Sequence, residues 1–456
     1  MKNTFLYCSF FLIAVGAFGQ RYLTKTEALE DLTFFHQTLL DVHYNPFLYI
    51  EAERYNAEAE RIKASIPDTI AVTDFMKSLY KLTALLEDSH SMPAMYQGTL
   101  FGEVYKQSLF FPLHTLTDDH KLYVSPQSDP TLGIEPGAEL ISINGVAVDS
   151  FLAETYALIG GLPEYKKAFV NRLLSHFLFI SGVQAPFTLR YKTSSGQVLT
   201  KTDLAGVSYV KSLLVTMPGL LEGNRFKIID DRVGYIDFCN MSGRWQEFST
   251  FLDSAFVSFQ AKNIKHVAID LRHNSGGDSM LGDVLFSYLT NRKYRLMGTK
   301  KWKISSQYKA YLKENGNTSH PYLTFADGTI WESGDCTPQP NNFTTETKFT
   351  GEVYFITGPF TFSSGNMVAS GAKTYKIGTL VGQPTGEATN DFGEVYRFEL
   401  PNSAVVMHVT TSFDIGPECD ASLISPVLPD VFIAPSAADL LNGEDPELSY
   451  ILEKTN

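Results

Sequence analysis

The 456-residue chain has few cysteines, no block of positive charge and, after its first twenty residues, no long apolar run. Four cysteines in a chain of this size do not make a disulfide scaffold. Cys239, Cys336 and Cys419 allow one bridge, for which Cys336 with Cys419 is a candidate. No Cys/His cluster has zinc-ligand spacing, so we expect no metal site and no other cofactor.

The charge of the chain is acidic, with a formal net value of -13, and its acidic residues are scattered. Nucleic-acid binding needs a basic surface, so we expect no nucleic-acid partner. Apolar residues make up 44% of the chain and charged residues 19%, which is typical of a globular protein. The length predicts two or three domains.

The first nineteen residues have the pattern of a secretory signal peptide. Lys2 precedes an apolar stretch, and Ala17 and Gly19 stand three and one residues before a cut ahead of Gln20. A membrane anchor is the alternative, but the apolar run is short for a span. Cys8 lacks a lipidation pattern around it. We therefore expect an exported protein, periplasmic or secreted, with no membrane span in the mature chain.

Residues 20–97 have a helical pattern. Thr24 and Glu27 form a capping-box pattern before an apolar-periodic stretch, and a second helix-like stretch ends at Pro67. A third begins near Thr73. Its apolar residues recur at helical spacing and predict one inward face: Phe75, Leu79, Leu82 and Leu86. These features predict an N-terminal helical bundle.

Residues 98–206 have short strands and turns instead. In "GIEPGAELISINGVAV" the "PG" and "NG" pairs mark turns on either side of a strand, and this stretch resembles a PDZ domain. The insert that follows it is longer than such domains usually carry. The resemblance implies either a groove that binds an extended peptide or a scaffold domain whose groove is covered.

Residues 207–456 alternate strand and helix. Continuous apolar strands such as "HVAIDLR" and "EVYFITG", each followed by a helix-like stretch, predict a parallel sheet with right-handed crossovers. A polar stretch at about 296–345 interrupts the alternation. Long loops inside compact domains are often functional, so this stretch is interpreted as a lid or a mobile insertion.

Two adjacent serines, Ser363 and Ser364, follow the apolar strand "EVYFITG" and begin a helix. Such serines are either a helix cap or a nucleophile at the positive end of a helix. A nucleophile also needs oxyanion donors and a base. Gly276 and Gly277, at the end of another strand, either supply close N–H donors or form an ordinary turn.

Four motifs together resemble the C-terminal processing (tail-specific) and tricorn-core serine peptidases. They are "IDLRHNSGGD", "TFSSGN", "LVGQPTGEATNDFGEVYRFELPNS" and "SPVLPDVFI". The resemblance implies an α/β multidomain fold with an N-terminal helical bundle, a PDZ-like β-rich domain and a crotonase-like (ClpP-like) α/β core. It also implies Ser363 as the nucleophile, with the N–H groups of Ser364 and of Gly276 or Gly277 holding the oxyanion.

At the position of the general base, this sequence differs from one branch of that family. The processing proteases carry a lysine about twenty-five residues after the serine, where this chain has Ala388, and Lys373 and Lys376 have the wrong spacing. The tricorn-like branch uses a Ser-His pair, which maps onto Ser89 and His90. Imidazole titrates near neutral pH and suits the role. A structural histidine at a helix end is the alternative reading of His90, and His43 is a rival base.

The acid that orients the base has two candidates, Glu418 and its alternative Asp420. Either is a member of the site or a solvated loop acid. Asn366 stands where relatives usually have glutamate, which would weaken or abolish activity if that acid matters.

These features predict an exported serine peptidase that cleaves peptides or unfolded protein tails. The alternative is a catalytically weak or inactive relative that binds a peptide or hydrophobic ligand, because fold does not determine function. A third hypothesis is a hydrolase of non-peptide esters or amides.

Overall fold

A computed structural model describes residues 21–94, 98–216 and 223–455. The proposed signal peptide, residues 1–19, lies outside the described residues. The described helices are all too short or too polar to cross a membrane.

The N-terminal region is built from helices tied by a short antiparallel ribbon. Its elements are β1 (Tyr22–Thr24), α1 (Lys25–Val42), α2 (Ala52–Ser65), β2 (Thr69–Ala71) and α3 (Val72–Ala84). The predicted capping box is confirmed, because Thr24 and Glu27 exchange both of its hydrogen bonds at the start of α1. The apolar face predicted for the third helix is also confirmed, since all four of its residues are buried.

The second region is an antiparallel sheet with helices inserted between its strands. The strands are β4 (Thr115–Asp118), β5 (Lys121–Val124), β6 (Glu139–Ile143), β7 (Val146–Ala147), β8 (Phe187–Lys192) and β9 (Val198–Leu204). Their order is β4-β5-β6-β8-β9, with β7 on β6. The inserted helices, between β7 and β8, are α5 (Val148–Tyr156), α6 (Pro163–Arg172) and α7 (Leu174–Ile180), whereas α4 (Gly98–Glu103) precedes β4 and α8 (Tyr209–Thr216) follows β9.

The third region contains the predicted parallel sheet. Its strands, in spatial order, are β10 (Arg225–Ile229), β11 (Val233–Asp237), β12 (His266–Asp270), β15 (Glu352–Thr357), β16 (Thr379–Gly382) and β19 (Val431–Phe432). Neighbouring strands are parallel except at β10, which is antiparallel to β11. This arrangement confirms the parallel pairing.

Helices cover both faces of this six-stranded sheet. They are α9 (Trp245–Ala261), α10 (Met280–Leu289), α12 (Ser364–Thr374) and α14 (Pro446–Lys454), whereas α13 (Ala437–Asn442) contacts β4 of the second region. The larger apolar core joins the sheet to α9, α10 and α12, and a smaller one places Ile451 of α14 on the opposite face. Buried strands of this kind are continuous apolar runs, which is why the sequence displayed them clearly.

A second, five-stranded sheet lies in the same region. The strands β14 (Ile330–Gly334), β13 (Thr299–Lys303), β18 (Val406–Asp414) and β17 (Asp391–Glu399) follow in that order, and β3 (Pro93–Ala94) pairs with β18. The whole sheet is antiparallel. The α/β multidomain class is therefore as expected.

The stretch at 296–345 is a structured part of this sheet rather than a lid. It contains β13, α11 (Ser306–Glu314) and β14, and Trp302 stacks on Trp331 with ring centroids 4.6 Å apart. The candidate disulfide between Cys336 and Cys419 is present. Cross-strand aromatic pairing stabilises the β13–β14 pair. The stretch is therefore ordered, contrary to the prediction of a mobile insertion.

Candidate active site

Three loops at the carboxyl ends of neighbouring parallel strands meet at one cleft. Gly277 follows β12, Ser363 follows β15, and Glu387 follows β16. His90 enters from the loop after α3. The cleft has a volume of about 260 Å³ and is also lined by the five-stranded sheet. Ligands of open parallel sheets bind at this edge, so the juxtaposition is that of a functional site.

Ser363 has a strained backbone and a hydroxyl that does not cap its helix. Its φ and ψ are 52° and -127°, a conformation that L residues rarely adopt, and its side chain makes no capping hydrogen bond to α12. Such strain is maintained only where the surrounding structure imposes it, and it is frequent at active sites. The backbone N–H of Ser363 donates to Glu387 Oε2 at 2.5 Å.

Two backbone N–H groups beside Ser363 are available to an oxyanion. The N–H of Gly276 already donates to Asn274 Oδ1 at 2.9 Å, whereas within the described residues those of Gly277 and Ser364 have no acceptor. The Ser364 hydroxyl donates to the Gly277 carbonyl at 2.7 Å and ties the two loops together. Paired N–H donors of this kind form the oxyanion holes of acyl-transfer enzymes.

Both glycines of this loop are required by its close packing. Gly276 has φ 93°, and a Cβ there would lie 2.6 Å from Ser363 Cβ. Gly277 has φ 139°, and its Cβ would lie 2.3 Å from the Met241 carbonyl oxygen. A side chain at either position would displace the serine loop or the oxyanion loop.

His90 lies almost buried beside the serine loop, with 12% of its side chain exposed. Its ring centroid is 4.5 Å from that of Phe362, and its Nδ1 is 3.3 Å from Glu387 Oε1 without the alignment of a hydrogen bond. Burial, together with nearby Lys300, lowers the pKa of His90 in spite of the opposing charge of Asp88. A neutral imidazole at neutral pH is able to accept a proton.

Glu387 connects the Ser363 loop to His90. One carboxylate oxygen accepts the Ser363 N–H and the other faces His90 Nδ1. Burial and the neighbouring Asp391 raise the pKa of Glu387 well above its ordinary value. In the described residues no hydrogen bond joins the His90 ring directly to the Ser363 hydroxyl, so the two groups are linked through this carboxyl.

His43, the rival base, faces a different acid. It is fully buried, and its Nε2 lies 3.0 Å from Asp88 Oδ2. Asp88 also accepts hydrogen bonds from the hydroxyls of Ser91 and Thr410 and from the backbone N–H of His90. Although burial opposes it, hydrogen bonding and charge from His43 lower the pKa of Asp88 to about 2. These buried hydrogen bonds hold the loop that carries His90 in position.

Three of the residues predicted for the site lie outside the cleft. Ser89 is buried, and its Cβ would be 2.8 Å from a Cβ added to Gly161. Glu418 is exposed and accepts the Thr374 hydroxyl, and exposed Asp420 accepts that of Ser422. The carboxyl beside His90 is instead that of Glu387, which the sequence analysis missed.

The signal for Glu387 was present in "PTGEATN". Glu387 directly precedes Ala388, the position at which the processing proteases carry their lysine. Asn366 lies in the cleft, where its side-chain N–H donates to the Ala388 carbonyl at 2.8 Å. Across the described residues, no group of three or more His, Cys, Asp or Glu side chains is arranged to hold a metal ion.

Comparison with known proteins gives one family and several similar structures. Residues 232–419 match peptidase family S41, and no curated protein matches the chain. The structure of mature CPAF complexed with lactacystin superposes with a TM-score of 0.64 at 16% identity, covering 94% of this chain and 98% of that one. At 16% identity, this structural similarity shows a shared fold and nothing further.

Two further structures are more distantly similar. The photosystem II D1 C-terminal processing protease has a TM-score of 0.44 at 13% identity, with 90% of this chain and 94% of that one covered. Tricorn protease has a TM-score of 0.43 at 15% identity, covering 94% of this chain and 36% of the tricorn chain.

Proposed function

We propose that the protein is a serine-type peptidase with Ser363 as its nucleophile, because residues 232–419 match peptidase family S41. The observation that carries this proposal is the position of Glu387. Its carboxyl contacts both the Ser363 backbone and the His90 ring in a cleft that contains open N–H groups. The cleft thereby brings together the three residue types of a serine-hydrolase triad: a serine, a histidine and an acid.

In the proposed reaction, Ser363 Oγ attacks the carbonyl carbon of a peptide bond as His90 removes the hydroxyl proton. The tetrahedral oxyanion accepts hydrogen bonds from the N–H groups of Gly277 and Ser364. His90 then protonates the leaving amine, and the C–N bond breaks to leave an acyl-enzyme. Water, deprotonated by His90, attacks the ester and releases the acid product and the free serine.

Glu387 takes the role that was expected of Glu418. With Glu387 ionised, its carboxylate stabilises the imidazolium that forms when His90 takes the Ser363 proton. Burial and the neighbouring Asp391 raise the pKa of Glu387, and the hydrogen bond from the Ser363 N–H opposes that rise. The hydrogen bond to the Ser363 N–H keeps the carboxyl in place.

The proposed substrates are peptides or unfolded protein tails, and the proposed location is outside the cytoplasm. The signal-like pattern at residues 1–19 supports export. The Cys336–Cys419 disulfide agrees with it, because such bonds persist in oxidising compartments. The antiparallel region at 98–206 is proposed to be the PDZ-like unit that binds an extended peptide.

A fluorophosphonate probe tests the nucleophile directly. We expect covalent labelling of the wild-type protein at Ser363, located by peptide mass spectrometry, and no labelling of Ser363→Ala. Ser279→Ala is the matched control, because Ser279 lines the same cleft but its side chain caps nothing in α10. Equal labelling of Ser363→Ala would contradict the proposal.

A binding protein is the second candidate function. Asn366 at the position where relatives have an acid, and the absence of a direct His90–Ser363 hydrogen bond among the described residues, favour it. A protein of this kind would fold normally and remain unlabelled. A matched panel of peptide and ester substrates separates a peptidase from a hydrolase of other esters or amides.

A further inference from the structure

Three charged residues stand in a row across the five-stranded sheet. Lys300 on β13 pairs with Asp414 on β18, and Asp414 pairs with Asp391 at the start of β17. Residues directly opposite in an antiparallel pair project to the same face, and like charges there are destabilising. All three line the active-site cleft. An Asp–Asp cross-strand pair inside a cleft therefore has an electrostatic cost that one lysine must offset.

Lys300 is already held by other partners. Its Nζ lies 2.8 Å from Glu394 and 3.3 Å from Asp414, and 8% of its side chain is exposed. Asp391 accepts the backbone N–H of Phe392 at 2.7 Å. Within the described residues, no lysine or arginine forms an ion pair with Asp391 or Glu387. His90 is the other titratable base of the cleft, and it contacts Glu387.

Charge alone does not make a ligand site, but an unused acceptor lies in the same cleft. Asn366 is 4% exposed, and its Oδ1 has no hydrogen-bond partner in the described structure. Its Nδ2 is engaged by the Ala388 carbonyl, which orients the amide with the oxygen as the free end. Buried polar atoms without a partner are rare, and this one lacks a donor.

We propose that the cleft binds a cationic side chain, lysine or arginine, adjacent to the peptide bond that is cleaved, with Asp391 as the specificity-determining residue. This inference rests on the proposed function of Ser363, because it names the substrate class of that site. A substrate ammonium or guanidinium supplies a cationic partner for Asp391 and N–H donors for Asn366 Oδ1.

The first test compares peptides that differ at one residue. Matched fluorogenic series carry lysine, norleucine or glutamate on either side of the scissile bond, with the rest of the sequence constant. We expect kcat/KM to be roughly 10- to 100-fold higher for lysine than for norleucine, as for a hydrogen-bonded charge pair, and lowest for glutamate. Equal rates for the three would overturn the inference.

Two variants, each of which replaces a carboxylate by an amide, test whether Asp391 causes the preference for lysine. Asp391→Asn keeps the shape of the side chain and should reduce the lysine-to-norleucine ratio to about one. Glu154→Gln removes an exposed carboxylate of α5 outside the cleft and should leave that ratio unchanged. Persistence of the preference in Asp391→Asn would also overturn the assignment.

A second test requires no catalysis. Butylguanidinium is added to the folded Ser363→Ala protein, with butanol as the neutral probe and alanyl-alanine amide as a source of α-ammonium. We expect only butylguanidinium to raise Tm, by about 1–2 °C at a concentration well above its Kd, and not in the Ser363→Ala/Asp391→Asn protein. Stabilisation by the α-ammonium probe alone would overturn the side-chain assignment.

The two proposals fail in different ways. Fluorophosphonate labelling of Ser363 without any cation preference leaves the peptidase proposal standing and removes the specificity. Absence of labelling removes the proposed nucleophile, while the thermal test with butylguanidinium still decides whether Asp391 binds a cation.

Discussion

The two sheets that border the cleft contribute to it in opposite ways. The six-stranded parallel sheet is apolar along its strands and provides the site through the loops that follow them, with Gly277, Ser363 and Glu387 as examples. The five-stranded antiparallel sheet provides charged side chains from the strands themselves, such as Lys300, Asp391 and Asp414. The first arrangement fits chemistry on the substrate backbone, and the second fits recognition of a side chain.

The difference follows from sheet geometry. Parallel strands buried on both faces have no room for charge, so polar groups collect where the strands end. Antiparallel strands alternate their faces, so one face is able to carry charged residues while the other packs against apolar neighbours. Changes in the loops should therefore affect the rate, and changes in the antiparallel strands should affect stability and preference.

The largest effect should come from the Glu387 carboxyl, which lies between the proposed nucleophile Ser363 and the proposed base His90. Glu387→Gln preserves the shape of the side chain but removes the charge that stabilises a protonated His90. We expect kcat to fall roughly 10²- to 10⁴-fold with a smaller change in KM. The control is Glu418→Gln, which alters an exposed acid outside the cleft and should remain within a factor of about two of wild type. A larger loss in Glu418→Gln than in Glu387→Gln would reverse the assignment.

The oxyanion loop offers a purely steric test. Gly276→Ala introduces a Cβ that would meet Ser363 Cβ at 2.6 Å, at a backbone φ of 93° that alanine rarely adopts. Because Ser363, the proposed nucleophile, must move, we expect a loss of about 10²-fold in kcat/KM, measured on the same peptide substrate. Gly102→Ala is the control, since a Cβ there meets nothing within 4 Å. Full activity of Gly276→Ala in a folded protein would exclude close contact between the loops.

The charged row on the five-stranded sheet should be visible in stability. Lys300→Met leaves Asp414 buried without its cation, and we expect the free energy of unfolding to fall by about 3 kcal/mol in urea titrations. Lys262→Met removes an exposed lysine and should change it by less than about 0.5 kcal/mol. In Lys300→Met/Asp414→Asn part of the loss should return, because no unpaired charge remains at Asp414. Additive losses would show that the two residues do not interact.

The pH dependence of activity should give the smallest effect. The proposed base, His90, accepts a proton only when neutral, and burial with nearby Lys300 holds its pKa below the ordinary value of 6.5. We therefore expect kcat/KM to be level above pH 6.5 and to decline on the acid side only below it, by about tenfold per pH unit. Removing the positive charge in Lys300→Gln should move this limb to higher pH by less than one unit. If the acid limb of the profile stays in place in Lys300→Gln, the charge of Lys300 does not affect the pKa of His90.

Several elements were predictable because their signals are local. The capping box of Thr24 and Glu27, the buried face of α3 and the parallel strands each depend on residues a few positions apart. The same holds for the serine loop and the glycine loop, where short motifs mark the ends of apolar strands. Two of the four motifs that carry the family resemblance contain the glycine loop and the serine loop.

Other parts of the site were not predictable, since they combine residues distant in sequence. The polar stretch at 296–345 predicts a lid or a mobile insertion, but β13 within it pairs with β18 more than one hundred positions later. Glu387 stands beside His90, and Asp391 opposite Asp414, only because separate strands bring them together. Spacing along the chain carries no information about such pairs.

The sequence by itself determined the parallel sheet, the position of a serine at a helix start and the glycines that allow close approach of two loops. These are consequences of local backbone preference and of apolar periodicity. Only the tertiary structure decided which carboxyl faces His90 and which carboxylates are left without a cation, because electrostatic pairing depends on distance in space. Sheet register, a long-range property, sets that distance.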